Sequence, residues 1–208
     1  MTTIDPLYSL AGVAVGMIVG LTGVGGGSLM TPLLVLAFGF HPVTAVGTDL
    51  LYAAATKTVG TVVHGWRGTV DWRVVRRLAL GSLPTTIVTL ILLNHAGVGQ
   101  ADTGHVVSVV LGVTLLLSAI GTVLRGRIIA WTARFPPMGE ARVAMVTTLV
   151  GAVLGVLVSL TSVGAGALGM TALLLLYPRL PVARLVGSDI AHAVPLTLVA
   201  GIGHWMLG

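Results

Sequence analysis

The chain has 208 residues, of which 55% are hydrophobic and only 8% are charged. Soluble globular proteins carry roughly 25% charged residues, so this chain has too few charges to cover a surface that faces water. The composition excludes an ordinary soluble enzyme, a disordered chain and a nucleic-acid-binding domain, and it indicates a polytopic membrane protein. Cysteine is absent, which excludes disulfides, thiol catalysis and cysteine-ligated metals.

Eight apolar segments follow one another along the chain, and each is expected to be a helix. They are segments A (7–21), B (29–40), C (43–63), D (74–93), E (106–124), A′ (143–160), B′ (168–177) and C′ (185–207). Because a helix needs about 20 residues to cross a bilayer, C, D, E, A′ and C′ are long enough, A is marginal, and B and B′ are short. The predicted fold class is an all-α polytopic membrane protein of the cytoplasmic (inner) membrane.

The positive charges lie in the short connections between these segments. The connection between C and D and the stretch 125–142 are both rich in arginine, whereas 94–105, between D and E, contains no lysine or arginine. Positive residues are retained on the cytoplasmic side of a membrane. The sequence therefore predicts that 125–142 is a cytoplasmic linker and that 94–105 lies outside.

An internal repeat relates the early and the late part of the chain. The glycine-rich run that begins at Thr22 recurs, with fewer glycines, at Thr161, and the Gly-Thr-Asp motif at Gly47 recurs as Gly-Ser-Asp at Gly187. Glycines match by chance in apolar sequence, but the ordered recurrence of an aspartate indicates true repetition.

The repeat predicts three regions: a first repeat over 1–124, the linker 125–142, and a second repeat over 143–208. Segments D and E have no counterpart in the second repeat, which is therefore expected to be incomplete. If B and B′ each cross the membrane, the repeats are inverted relative to each other; if they are re-entrant, the repeats are parallel. Inversion is favoured because it places the arginines after B′ in the cytoplasm.

The run Gly20–Ser28, between A and B, is the strongest candidate for a binding site. Five glycines in nine positions favour a break in the helix with exposed backbone N–H groups, and the next helix is expected to begin near Ser28 with its positive end at the break. Broken helices are the usual substrate sites of repeat transporters, so a small anion is the expected ligand. The alternative is that the glycines only permit close helix packing.

Ionisable side chains inside the apolar segments are the next candidates, because they are costly in a bilayer and usually face a partner or a water-filled path. Asp49 and Lys57 lie two helical turns apart in segment C and so share a face. They are expected either to line a path for an anion or a proton, or to form a structural charge pair. Asp189 and His192 lie one turn apart in C′, where they could hydrogen-bond; plain interhelical hydrogen bonding is favoured for them, and a proton relay is the alternative.

Three histidines are the candidates for a proton relay: His64, His192 and His204. His64 and His204 end segments C and C′ at matching positions of the repeat, and the alternative for both is simple solvation near the interface. These histidines do not suffice for a metal site, and no cofactor is expected.

Four stretches of the sequence resemble a known family of membrane permeases. They are GLTGVGGGSLMTPLLV and HPVTAVGTDL in the first repeat, and TSVGAGALGMTALLLL and LPVARLVGSDIAHAV in the second. The family is TauE/SafE, also called TSUP, which is associated with the export of sulfite and organosulfur anions. The resemblance covers essentially the whole chain and implies that the two breaks, with Thr48 and Ser188, surround the substrate path. Together with the residues above, the predicted substrate-binding set is Gly23, Gly25, Gly26, Gly27, Ser28, Thr48, Asp49, Lys57, Thr161, Ser162, Gly164, Gly166, Ser188 and Asp189.

The expected function is a secondary transporter that moves small anions, such as sulfite, sulfonates or short carboxylates, by alternating access. The sequence has no Walker motif, so a proton or sodium gradient, or simple facilitation, is the expected driving force. The alternatives are a channel-like anion pore, and an intramembrane enzyme or structural subunit. The expected partners are the anion and the lipid bilayer, with no nucleic acid, and assembly into a homo-oligomer is left open.

Overall fold

The computed structural model describes residues 6–22, 27–96, 101–132 and 138–207, and every regular element within these residues is an α-helix. The helices are α1 (Pro6–Thr22), α2 (Gly27–Leu36), α3 (Pro42–Trp66), α4 (Trp72–Ala96), α5 (Ala101–Val123), α6 (Arg125–Thr132), α7 (Glu140–Thr161), α8 (Ala167–Leu176) and α9 (Val182–Leu207). The all-α prediction is confirmed, and each predicted segment corresponds to one helix. One helix, α6, corresponds to no predicted segment, because it lies within 125–142, the stretch expected to be only a linker.

The outward faces of the long helices are apolar, as a bilayer requires. Along α5, Val109, Val113 and Leu116 are more than half exposed, while Thr114 and Ser118 are buried. A helix in water shows the opposite arrangement. Among the described residues, α4, the part of α5 from Gly104, α7 and α9 are each long and apolar enough to cross a membrane. The prediction of a multi-pass membrane protein is confirmed.

Helices α4 and α7 pack closely because glycines replace side chains at their contact. A Cβ atom added at Gly151 would overlap the carbonyl group of Leu78, and one added at Gly81 would overlap the carbonyl oxygen of Thr148. Gly155 of α7 also lies against the α4 backbone. In lipid, where the hydrophobic effect does not drive helices together, small residues of this kind hold them by close van der Waals contact.

Helices α3 and α9 form a second close pair. Four contacts follow one another along this pair: Gly47 with His204, Leu51 with Gly201, Gly60 with Ile190, and His64 with Gly187. The contacts ascend along one helix and descend along the other, so the two helices run antiparallel. At each end of the pair, a glycine of one helix contacts the histidine near the C-terminal end of the other.

The chain reverses direction between α7 and α8. Ser162 follows α7 in the left-handed region with φ 58°, and Gly164 and Gly166 have φ values of 128° and 134°. Glycine adopts such angles without the strain that a side chain would cause. We call residues 162–166 the second break.

Helix α8 runs back along α7 from this reversal to the arginine-rich end of the bundle. At its end, the Tyr177 hydroxyl accepts a 3.3 Å hydrogen bond from Arg77 and lies 2.8 Å from the Thr147 hydroxyl. Arg77 also donates to Glu140, the first residue of α7, at 3.1 Å. The second break therefore lies inside the bundle, away from this polar end.

A buried charged track beside the second break

Three ionisable side chains on the α3/α9 pair define what we call the charged track: Asp49, Lys57 and Asp189. Both carboxylates are buried, and Lys57 is half-buried. The Lys57 ammonium lies within electrostatic range of Asp189 and Asp49, although it forms no ion pair within 4.0 Å with either carboxylate. At 1.5 Å rise per residue, Asp49 and Lys57 lie about 12 Å apart along α3. The structure thus brings together three predicted site residues from opposite ends of the chain.

The second break and the start of α8 lie alongside the charged track. The neighbours are Ser162 beside Asp49, Ala165 beside Lys57, and Gly169 beside Asp189. Lys57 Nζ donates a 3.2 Å hydrogen bond to the carbonyl oxygen of Ala165. A Cβ atom added at Gly169 would lie 2.6 Å from Asp189 Oδ1, so this carboxylate reaches the first turn of α8.

The two carboxylates of the track have different partners. Asp49 Oδ2 accepts a 2.6 Å hydrogen bond from the Thr31 hydroxyl of α2. Asp189 is only 4% exposed, and it accepts no hydrogen bond from any residue in the described part of the chain. An ionised carboxylate without a donor is costly in a buried position, so the two aspartates are not chemically equivalent.

The backbone of the second break supplies hydrogen-bond donors that the protein does not use. The Val163 amide donates to the Thr161 hydroxyl at 3.1 Å, and the Gly169 amide donates to the Gly164 carbonyl at 3.0 Å. Between these two, the N–H groups of residues 164–168 make no hydrogen bond within the described ranges. Buried N–H groups are almost always paired. Such a run at a helix N-terminus suits an anion.

Two residues of the predicted set lie away from the track and serve the backbone. The Thr48 side chain is on the exposed face of α3, where its hydroxyl donates to the Thr44 carbonyl at 2.8 Å. The Ser188 hydroxyl accepts a 2.8 Å hydrogen bond from the Asp71 amide and donates to the Arg184 carbonyl at 2.7 Å. Both hydroxyls therefore bond to backbone groups, Thr48 within its own helix and Ser188 also to the connection between α3 and α4.

Asp189 and His192 do not hydrogen-bond to each other, and His192 instead makes a contact between helices. The Nε2 atom of His192 lies 2.8 Å from the Ser82 hydroxyl on α4. Residues three positions apart on a helix differ by about 60° in direction. That difference turns Asp189 toward α8 and His192 toward α4. His192 Nδ1 is buried and has no partner in the described part of the protein.

The other two relay candidates, His64 and His204, lie at opposite ends of the α3/α9 pair. His64 Nδ1 is 2.8 Å from the Thr69 hydroxyl, and His204 Nε2 is 2.7 Å from the carbonyl oxygen of Ser159. The three histidines make no hydrogen bonds to one another. The structure therefore does not bring them together as a continuous relay.

The first break falls largely outside the described residues. Gly23, Gly25 and Gly26 lie outside the described residues, whereas Gly27 and Ser28 are the first two residues of α2. The expected helix start near Ser28 agrees with this boundary within one residue.

Three residues at the track were not predicted: Thr31, Ala165 and Gly169. Thr31 is the only hydroxyl residue of α2 besides Ser28. A single hydroxyl within an apolar helix could have indicated a polar partner on another helix. Ala165 binds Lys57 through its backbone carbonyl oxygen, and Gly169 makes room for Asp189 because it has no side chain. Neither role could be predicted from the residue type.

A cavity of about 390 Å³ lies between α4 and α7, apart from the charged track. Its lining residues are Thr85, Val88, Thr89, Leu92, Leu93, Ala96, Val156 and Leu160. The lining carries no ionisable group, so it suits an apolar chain such as a lipid tail and not an anion.

The family model and the relatives that match this chain are all described as exporters or membrane transporters. The family model described as Sulfite exporter TauE/SafE matches residues 8–208. The probable membrane transporter protein YjnA of Bacillus subtilis (strain 168) is 37% identical over 199 residues, which are 93% of this chain and 76% of the relative. A probable membrane transporter protein of Xylella fastidiosa (strain 9a5c) is 30% identical over 196 residues, or 93% of this chain and 71% of the relative. No solved structure matches the chain.

Proposed function

Because the chain belongs to the sulfite exporter TauE/SafE family of membrane proteins, we propose that it is a secondary transporter for small anions such as sulfite, sulfonates or short carboxylates. The observation that carries this proposal is the second break, which is buried and leaves the N–H groups of residues 164–168 without partners in the described chain. Unpaired donors at a buried helix start are a site for an acceptor-rich, negatively charged ligand.

The positive end of α8 and the Lys57 ammonium would share the charge of the anion. A helix N-terminus carries about half a positive charge, and Lys57 reaches the same segment through its hydrogen bond to Ala165. A partial, dispersed charge binds an anion less tightly than a single desolvated ammonium would. Weaker binding suits a transporter, because the anion must also be released.

We further propose that the repeats 1–124 and 143–208 are inverted halves that move against each other in alternating access. The antiparallel α3/α9 pair supports this, because its two end contacts are equivalent under the repeat: Gly47 meets His204, and their counterparts Gly187 and His64 also meet. An antiparallel contact between equivalent positions is expected when a two-fold axis in the membrane plane relates two halves. In this scheme the linker 125–142 lies on the cytoplasmic side.

The transport proposal is tested by counterflow in proteoliposomes. Vesicles loaded with unlabelled sulfite, methanesulfonate or acetate are diluted into the same labelled anion, and labelled uptake is followed over time. A carrier produces a transient overshoot of label with at least one of these anions. Labelled uptake that only equilibrates, at a rate that does not saturate, would favour a channel-like pore. No uptake of any of the three would point to a non-transport role.

The sidedness of the halves is tested by cysteine labelling, for which the natural absence of cysteine provides a clean background. Arg73 and Asn94 are both exposed, at opposite ends of α4. We expect Asn94→Cys, but not Arg73→Cys, to react with a membrane-impermeant maleimide added to intact cells. Reaction of Arg73→Cys from outside would contradict the proposed orientation.

A further inference from the structure

The charged track carries a net negative charge next to the proposed anion site. With its two carboxylates ionised and Lys57 protonated, one negative charge is left over inside the membrane. An anion held at the start of α8 adds a second, because Asp189 reaches the same helical turn at Gly169. Two like charges in contact within a low-dielectric interior are strongly unfavourable. Neutralisation of one carboxylate therefore favours anion binding.

Of the two carboxylates, Asp189 is the one whose neutral form costs the protein least. Asp49 Oδ2 accepts a 2.6 Å hydrogen bond from Thr31, and such a bond is stronger to an ionised carboxylate than to a protonated one. Asp189 accepts no hydrogen bond from the described residues, so its protonation breaks none. Asp189 is also the carboxylate that lies at the helix start where the anion would bind, and so it competes directly with the anion for that positive end.

The ionisable groups around Asp189 are few. Lys57 faces it from α3, Asp49 lies two helical turns from Lys57 on the same helix, and His192 lies one turn further on α9. His64 of α3 contacts Gly187, two residues before Asp189. Among the other described helices packed on α9, only α4 and α7 carry ionisable side chains, and these lie within two turns of a helix end. They are Arg73, Arg76, Arg77 and His95 of α4, and Glu140 and Arg142 of α7.

We infer that Asp189 is the proton-carrying residue of this transporter, binding one proton as each anion binds at the second break. This inference rests on the proposed function. A monovalent anion and a proton then cross together, and the pair carries no net charge. By linkage, the proton raises the affinity for the anion by the same factor by which the anion raises the affinity for the proton.

The test uses the purified full chain in proteoliposomes that contain a pH-sensitive dye. Methanesulfonate is the probe, because it remains ionised and does not cross bilayers as a free acid; if only sulfite shows counterflow, sulfite is used. In vesicles loaded without the anion, we expect about one proton to enter per anion taken up, and a gradient of one pH unit, alkaline inside, to concentrate the anion about tenfold. Net anion uptake without any proton movement, by a chain that shows counterflow, would overturn the inference and leave the proposed function standing. Absence of counterflow with every anion would overturn both.

The variants separate Asp189 from Asp49. We expect Asp189→Asn, which imitates the protonated form, to retain counterflow while its proton-to-anion ratio falls from about one to near zero. Asp49→Asn should slow transport but keep the ratio of the wild type. Glu140→Gln, at the exposed start of α7, should leave both the rate and the ratio unchanged. A wild-type ratio in Asp189→Asn would overturn the inference.

Folding of each variant is checked by size-exclusion chromatography and circular dichroism in detergent. If Asp189→Asn does not fold, Asp189→Ser provides a second neutral replacement, and the ratio measured for the wild type still decides whether a proton is carried. A ratio lost in Asp49→Asn and kept in the neutral Asp189 variant would assign the proton to Asp49 and overturn the inference.

Discussion

The α4/α7 contact and the second break are both rich in glycine, yet glycine serves a different purpose in each. At the contact, Gly81 and Gly151 have ordinary helical backbones and are needed because another backbone occupies the space of a side chain. In the break, Gly164 and Gly166 are needed for their positive φ angles. Glycine content alone therefore does not distinguish a packing surface from a binding site, and substitutions at the two regions should fail in different ways.

The largest effect is expected from Gly151→Val at the α4/α7 contact. The added side chain would overlap the backbone of Leu78, which cannot move aside as a flexible side chain can. We expect a loss of at least about 3 kcal/mol of stability, at the upper end for overpacked sites, seen as aggregation or a much lower melting temperature in detergent. Gly112→Val, where nothing lies within 4 Å, is the control. Equal behaviour of the two would mean that the close contact is not essential.

Gly166→Val should leave the protein inserted and folded but abolish counterflow. A side chain at φ 134° is strained by roughly 1–3 kcal/mol, and relief of that strain would rearrange the N–H groups of the break. Gly139→Ala is the matched control, because Gly139 precedes α7 with φ −62° and has open space around it. Normal counterflow by Gly166→Val would remove the break from the transport site.

Lys57→Gln should reduce the initial rate of counterflow by about tenfold, equivalent to 1.4 kcal/mol, without abolishing it. The glutamine loses the charge, while the α8 N-terminus and the break amides remain. Arg76→Gln, which removes a charge from the exposed start of α4, is the control and should transport normally. Complete loss of counterflow in Lys57→Gln, as severe as in Gly166→Val, would show that the lysine and not the backbone holds the anion.

The smallest effect is expected at Ser162, the only described residue other than glycine with a positive φ. A left-handed conformation costs a residue with a side chain roughly 1–2 kcal/mol. Glycine avoids this cost but loses more entropy on folding. Ser162→Gly should therefore stabilise the protein by no more than about 1 kcal/mol, whereas Ser162→Val should destabilise it. Melting temperatures in detergent that fall equally for both variants would indicate that the hydroxyl, and not the backbone angle, matters at this position.

The sequence by itself determined the class of the protein and the order of its helices. A charged fraction of 8% and apolar runs of spanning length are properties of composition and local pattern, and they hold whatever the chain packs against. The second break was also predictable, because Gly164 and Gly166 disfavour a continuous helix through their own backbone freedom.

Only the tertiary structure decided which residues meet. Helical spacing places Asp49 and Lys57 on one face, but it does not say that Asp189 joins them from α9. Nor does it say that Thr48, next to Asp49, faces outward. These outcomes depend on which helices approach each other, and in a membrane that is set by small residues at distant positions, such as Gly47 and Gly187, and by the chain reversal at Ser162. The partners of a buried charge are therefore a property of the packed bundle, because every donor and acceptor near it comes from another part of the chain.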